Sequence, residues 1–131
     1  MSSAGIVDVE VELDKLRDFQ RRTAEYAFRR MFEDDDCTTR FLVADEVGLG
    51  KTFVAKGVVA QVLDKLGSIG DKRHDIVYIC SNAAIARQNI RKLVPSSISS
   101  TQRVDRLSML LHPDHQPGSG ADAKVNLGIG T

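Results

Sequence analysis

The residues of this chain with the most chemical promise stand together: Gly48, Leu49, Gly50, Lys51 and Thr52, preceded by Asp45, Glu46 and Val47. Two glycines spaced by one residue let successive backbone N–H groups curl around an anion with no Cβ in the way. A helix beginning directly after them adds its orphan donors and the positive end of its dipole. Lys51 brings a full charge to β- and γ-phosphate oxygens, and Thr52 brings a hydroxyl for Mg²⁺. The spacing therefore predicts a cradle for a nucleotide's phosphates and their Mg²⁺, with Lys51 as the catalytic cation. One departure stands out. The general phosphate-loop pattern opens with glycine six residues before the lysine, and here that position is Asp45.

Such a loop needs a strand before it and a helix after it. Residues 41–44, Phe-Leu-Val-Ala, form a continuous apolar run that suits a strand buried on both faces. Apolar pairs at Val54/Ala55, Val58/Val59 and Val62/Leu63 predict a helix over residues 50–66, with Gly67 as its C-terminal cap. Residues 76–80 read as a second buried strand. Ser81 and Asn82 are good caps for a helix over 83–93, which Pro95 ends. Strand, helix, strand, helix is the alternation of a parallel sheet covered by helices.

Upstream, residues 7–13 alternate apolar and acidic, the period of a half-buried strand or a frayed lead-in. From 14 to 32 the period lengthens: Leu16, Phe19, Thr23, Ala27 and Met31 predict an amphipathic helix whose arginines fall largely outside the apolar stripe. Asp34, Asp35 and Asp36 break it. Downstream, 96–100 is a Ser-rich linker, 102–111 a short helix, 112–122 a loop and 125–129 one more strand.

The segment Asp45-Glu46-Val47-Gly48-Leu49-Gly50-Lys51-Thr52 closely resembles motif I of superfamily 2 helicases and translocases, especially the Swi/Snf-like branch, where an Asp-Glu pair precedes Gly-Leu-Gly-Lys-Thr. Leu16-Arg17-Asp18-Phe19-Gln20 resembles the Leu-Arg-x-aromatic-Gln segment of the same proteins, which implies a nucleotide contact at Phe19 and Gln20, the glutamine on adenine. A planar amide can donate to and accept from an adenine edge. Cys80-Ser81-Asn82, followed by Ile85, Ala86, Arg87 and Gln88, is similar to motif Ia. That likeness implies that Ser81, Asn82, Arg87 and Gln88 face a nucleic-acid backbone; a capped, solvated helix explains the same residues without it.

What the resemblance implies is an α/β fold: a parallel sheet with flanking helices, the incomplete RecA-like lobe of a nucleic-acid-dependent ATPase acting on double-stranded DNA. Residues 1–13 would be a lead-in and 14–131 the partial ATP-binding domain. Hydrolysis in such motors also needs a hydrophobic strand ending in Asp-Glu, to hold Mg²⁺ and orient water. No apolar run after Lys51 ends in paired acids. The chain is thus expected to be a fragment that binds ATP without turning it over, its remaining lobe a partner. Two alternatives stay open: a non-catalytic nucleotide-binding module, and an unrelated, complete phosphate-loop NTPase or kinase.

Composition sets limits rather than a function. The chain has 131 residues, with 18 Lys+Arg against 18 Asp+Glu, which excludes the bulk-basic signature of a histone-like binder but not a local basic groove. No apolar run reaches the ~20 residues of a membrane helix, and the first residues lack the basic and apolar regions of a secretory signal. Two cysteines, Cys37 and Cys80, form neither a disulfide ladder nor a zinc spacing. An intracellular protein, cytoplasmic or at nucleoid or nucleus, with no membrane partner is the expectation. His112, Asp114 and His115 offer metal donors, but Pro113 prevents a regular helix from presenting both imidazoles on one face. Cys80 and Met109 read as core residues.

Overall fold

A computed structural model describes residues 7–70, 73–96, 98, 101–104 and 124–130. Its elements are α1 (Val9–Asp14), α2 (Asp18–Phe32), α3 (Lys51–Ser68), β1 (Arg73–Ile79), α4 (Ala83–Leu93), β2 (Thr101–Val104) and β3 (Lys124–Gly130). The backbones of β2 and β3 run parallel to β1 in the order β1-β3-β2, with Arg73 opposite Lys124 and Thr101 opposite Val125.

The helices build the interior, and α3 is common to both parts of it. Val54 packs with Leu13, Leu16 and Ala24 of the N-terminal region. One or two turns on, Ala60 and Leu63 pack with Val7, Ala86 and Ile90, and with Ile76, Tyr78 and Cys80 of β1 and its end. A helix that is apolar around most of its circumference belongs in the middle of a fold. Gly57 makes the closest approach possible. A Cβ there would lie 2.8 Å from the Ala24 Cβ and 2.9 Å from Leu16 Cδ1, so α2 and α3 touch nearly backbone to backbone.

This architecture corrects the expected RecA-like parallel-sheet lobe. The described chain is predominantly helical, and the run 41–44, which was to be the buried strand leading into the phosphate loop, is not a strand. The physical reason lies in its backbone. A strand exists only where a neighbour takes its N–H and C=O groups, and residues 41–44 make no backbone hydrogen bond among the described residues. Side chains hold the segment instead. Phe41 sets its ring edge-on to Tyr26 of α2, centroids 5.7 Å apart, and Val43 packs on the cluster around Val54. Leu42 is left 85% exposed.

Other boundaries moved as well. Residues 7–13 are not a strand: Asp8 caps α1 by accepting from the Val11 N–H, and the turn that follows buries Leu13. The helix expected from 14 to 32 is interrupted, because Arg17 is extended (φ −70°, ψ 153°) and α2 starts after it. Gly67 lies inside α3, and the left-handed glycine is Gly70, at φ +81°. Residues 83–93 are helical as expected, with Asn82 accepting from the N–H groups of Ala84 and Ile85. Thr101–Val104 is a strand where a helix from 102 was expected. The remainder of that helix with Met109, the loop at 112–122 with His112, Asp114 and His115, most of the linker at 96–100 and the first six residues lie outside the described residues.

Candidate functional site

The loop at 45–50 takes its shape from two glycines and one glutamine. Gly48 has φ +93° and Gly50 φ +85°, a region that side chains with a Cβ enter only at a cost of about 1–2 kcal/mol. Gly50 is also the N-cap of α3, its carbonyl accepting from the Phe53 and Val54 N–H groups at 2.8 and 3.3 Å. The first turn of an α-helix leaves its own N–H groups without carbonyl partners. Those of Lys51 and Thr52 therefore open at the mouth of the loop.

Gln20 is the strut that holds this loop against α2. It is buried, 6% exposed. Its Nε2 donates to the Leu49 carbonyl at 2.9 Å, and its Oε1 accepts from the Arg17 N–H at 3.1 Å. The fit allows nothing larger than glycine beside it, since a Cβ on Gly50 would sit 2.5 Å from Gln20 Nε2 and 3.2 Å from Phe53 Cδ2. A residue expected to read a base instead shapes the loop at 45–50 in this structure.

Lys51 turns back over the loop, its Nζ donating to the Glu46 carbonyl at 2.9 Å. The ammonium is exposed and has no carboxylate partner among the described residues, so a phosphate oxygen has only a neutral carbonyl to displace. Asp45 is half-buried and Glu46 exposed, and neither forms an ion pair among the described residues. Val47 is fully exposed at the loop tip.

Two cavities flank the start of α3. The first, about 280 Å³, lies beside the loop and is lined by Lys15, Arg17, Gln20, Gly48, Leu49, Gly50 and Phe53. The second, about 460 Å³, is apolar; Lys51 and Thr52 stand at it with Phe41, Val43, Val58 and Tyr78 among its walls. It borders the run 41–44 that lacks a strand neighbour. Gln20 and the loop residues are therefore brought together. Phe19, 39% exposed, does not line the first cavity, and Thr52 lines the other.

Lys15, Arg17 and Phe53 are the residues that sequence reasoning left out. Arg17 stands in the Leu-Arg-x-aromatic-Gln segment. The signal was available in its spacing: position 17 is three before Gln20, the distance over which a helix-start side chain reaches back to the preceding N–H.

The loop fits a polyphosphate in the N–H groups it leaves open at the start of α3. For Mg²⁺ the chain supplies the Thr52 hydroxyl at that helix start. No group of three or more His, Cys, Asp or Glu side chains converges to hold a metal among the described residues.

The expected nucleic-acid contacts form a separate cluster. Ser81, Arg87 and Gln88 are exposed, while Asn82 spends its Oδ1 on the cap of α4. No hydrogen bond joins them to the loop at 45–50 among the described residues. A different ionic contact stiffens α3 below the loop. Glu12, 2% exposed, meets Lys56 Nζ at 2.7 Å and Lys15 Nζ at 2.9 Å, and accepts from the Ser96 N–H at 3.0 Å and from its hydroxyl. Burial pushes this carboxyl up, but the hydrogen bonds from Lys56, Ser96 and Lys15 outweigh it and hold its pKa down at about 2.

No family model, curated protein or solved structure matches this chain. No helix among the described residues is long and apolar enough to cross a membrane.

Proposed function

We propose that this chain binds ATP with Mg²⁺ through residues 45–52, as the nucleotide-binding part of a nucleic-acid-dependent ATPase of the helicase or translocase kind. The observation that carries the reading is the pair of left-handed glycines, Gly48 and Gly50, opening directly onto an 18-residue helix whose first residue is Lys51. Phosphate oxygens take the N–H groups at the helix start, Lys51 exchanges the Glu46 carbonyl for the β- and γ-phosphates, and Thr52 gives its hydroxyl to the nucleotide's Mg²⁺. Asp45 and Glu46 stay at the loop entrance. Gln20 keeps the loop in shape and reads the base with the amide N–H that it does not use on Leu49.

Double-stranded DNA is the nucleic acid this reading favours, gripped by Ser81, Asn82, Arg87 and Gln88, in an intracellular setting. Hydrolysis needs acidic residues that follow no apolar run after Lys51, so the 131 residues bind ATP and do not turn it over alone. Titration of Mg-ATP into the chain tests this, with Lys51→Ala as the control. Loss of a charge-assisted contact worth about 1.5–3 kcal/mol weakens binding by about tenfold or more. Steady ATP turnover by the chain alone, abolished by Lys51→Ala, contradicts the non-hydrolytic part of the reading.

A further inference from the structure

The outward face of α2 carries two cations that the fold leaves largely unspent. Arg21 holds Glu10, Asp14 and Glu25, and Arg30 holds Asp34 and Asp36. Arg22 takes no carboxylate among the described residues, and Arg29 meets only Asp34, at 3.7 Å. Positions 22 and 29 lie two helical turns apart, about 10.5 Å along the axis. Both therefore stand on one side of α2, away from the buried Ala24 and Ala27.

Between them the surface is a groove. A cavity of about 450 Å³ is lined by Arg22, Tyr26, Phe28 and Arg29 of α2 and by Gln61 of α3, with Glu25 and Glu33 also at it. Arg29 Cζ lies 5.4 Å from the centroid of the Tyr26 ring, a contact that steadies the guanidinium. The ring itself stays 50% exposed. Glu25 is already neutralised by Arg21, so it does not quench Arg22. Exposed tyrosine and arginine side by side are the composition of a protein contact surface, where lysine, aspartate and glutamate are depleted.

We propose that this groove docks an acidic helix of another protein, two of its carboxylates, two turns apart, meeting Arg22 and Arg29 while an apolar side chain between them covers Tyr26. Charge complementarity selects that occupant. A guanidinium takes a carboxylate through two parallel hydrogen bonds. A second copy of this chain fits poorly, because a two-fold pairing centred between residues 25 and 26 sets position 22 against position 29, arginine on arginine. A nucleic-acid strand along the groove would carry its phosphates past Glu33 and Asp35, both exposed at the end of α2 and neither held by a cation among the described residues. The groove shares no residue with the loop at 45–52 or with positions 81–88, and the proposal does not depend on the nucleotide-binding reading.

The probe is a labelled synthetic helical peptide with glutamates two turns apart and leucine between them, followed by fluorescence anisotropy. It is titrated with the full chain as wild type, Arg22→Glu, Arg29→Glu and the double variant, with melting curves for all four. A peptide with glutamine for glutamate, one with lysine for glutamate, and oligothymidylate serve as comparisons. The wild type is expected to bind the acidic peptide saturably below millimolar concentration, and each single variant to weaken it about tenfold or more. The double variant should take the lysine peptide in its place. Equal binding of the glutamine peptide, or unchanged affinity in the double variant, overturns the arginine contacts. Absence of acidic-peptide binding by the folded wild type overturns the docking surface. Oligothymidylate binding that is lost in the double variant, without peptide binding, reassigns the face to nucleic acid, and arginine-dependent self-association in sedimentation reassigns it to a second copy. Where a glutamate variant melts early, Arg22→Gln and Arg29→Gln decide in its place. Mg-ATP affinity is expected to be unchanged in all of these variants, so failure of nucleotide binding by the wild type leaves the docking result standing.

Discussion

Gly48 and Gly50 share a left-handed backbone but not a neighbourhood, and the difference separates strain from contact. Around Gly48 nothing lies within 4 Å of where a Cβ would stand, whereas at Gly50 the same atom meets Gln20 and Phe53. Alanine at either position carries the left-handed penalty of about 1–2 kcal/mol. Only Gly50→Ala must also push the Gln20 amide off the Leu49 carbonyl. Chemical denaturation should therefore place Gly50→Ala below Gly48→Ala in stability, and nucleotide titration should show the larger loss for Gly50→Ala. Equal behaviour of the two variants would mean that Gln20 does not shape the loop.

Between elements, two contacts dominate the positioning of α3. The first is the close approach at Gly57. Alanine in place of glycine inside a helix ordinarily adds about 1 kcal/mol, but here its Cβ would enter the Ala24 methyl on α2. Ala24 has no rotamer to yield, so overpacking of about 1–3 kcal/mol wins. Gly57→Ala is expected to lower Tm, and a raised Tm would show that the helices can separate freely. The second contact is Glu12, which ties α1 to Lys56 of α3 and to Ser96 beyond α4.

Removing the Glu12 charge strands Lys56, which is only 14% exposed. Glu12→Gln should cost about 3 kcal/mol, the scale of breaking a buried pair. The sign with pH follows from a carboxyl held at about 2 in the fold against 4.5 in the open chain. Its contribution is complete above 4.5, declines as pH falls through that value, and is gone below about 2. Wild type should lose stability over that interval more steeply than Glu12→Gln, which urea melts at pH 6, 4 and 3 would show as converging midpoints.

At the scale of the whole molecule, the loop, most helices and the segments that became β1 and β3 were legible in the sequence, whereas the strand expected at 41–44 does not form and the one at 101–104 was read as helix. Gly-Leu-Gly-Lys-Thr and the cap at Asn82 are local signals: glycine freedom and side-chain capping act within four or five residues, so they survive any tertiary arrangement. The run 41–44 carries an equally clear apolar signal. A strand, however, is a property of two segments, and composition says nothing about whether a neighbour lies alongside. The acidic alternation at 7–13 misled for a related reason. Its period is that of a strand, yet Asp8 caps a helix and Glu12 is buried by lysines and a serine far along the chain, partners that no window of a few residues contains.

The central claim is that residues 45–52 hold the phosphates of ATP, and equilibrium binding of Mg-ATP to the 131-residue chain and to Lys51→Ala tests it most directly. Saturable binding by the wild type, weakened about tenfold or more in Lys51→Ala with both proteins equally folded, is the result predicted. Absence of binding at millimolar nucleotide by a folded wild-type chain, or equal affinity of the two proteins, would contradict it.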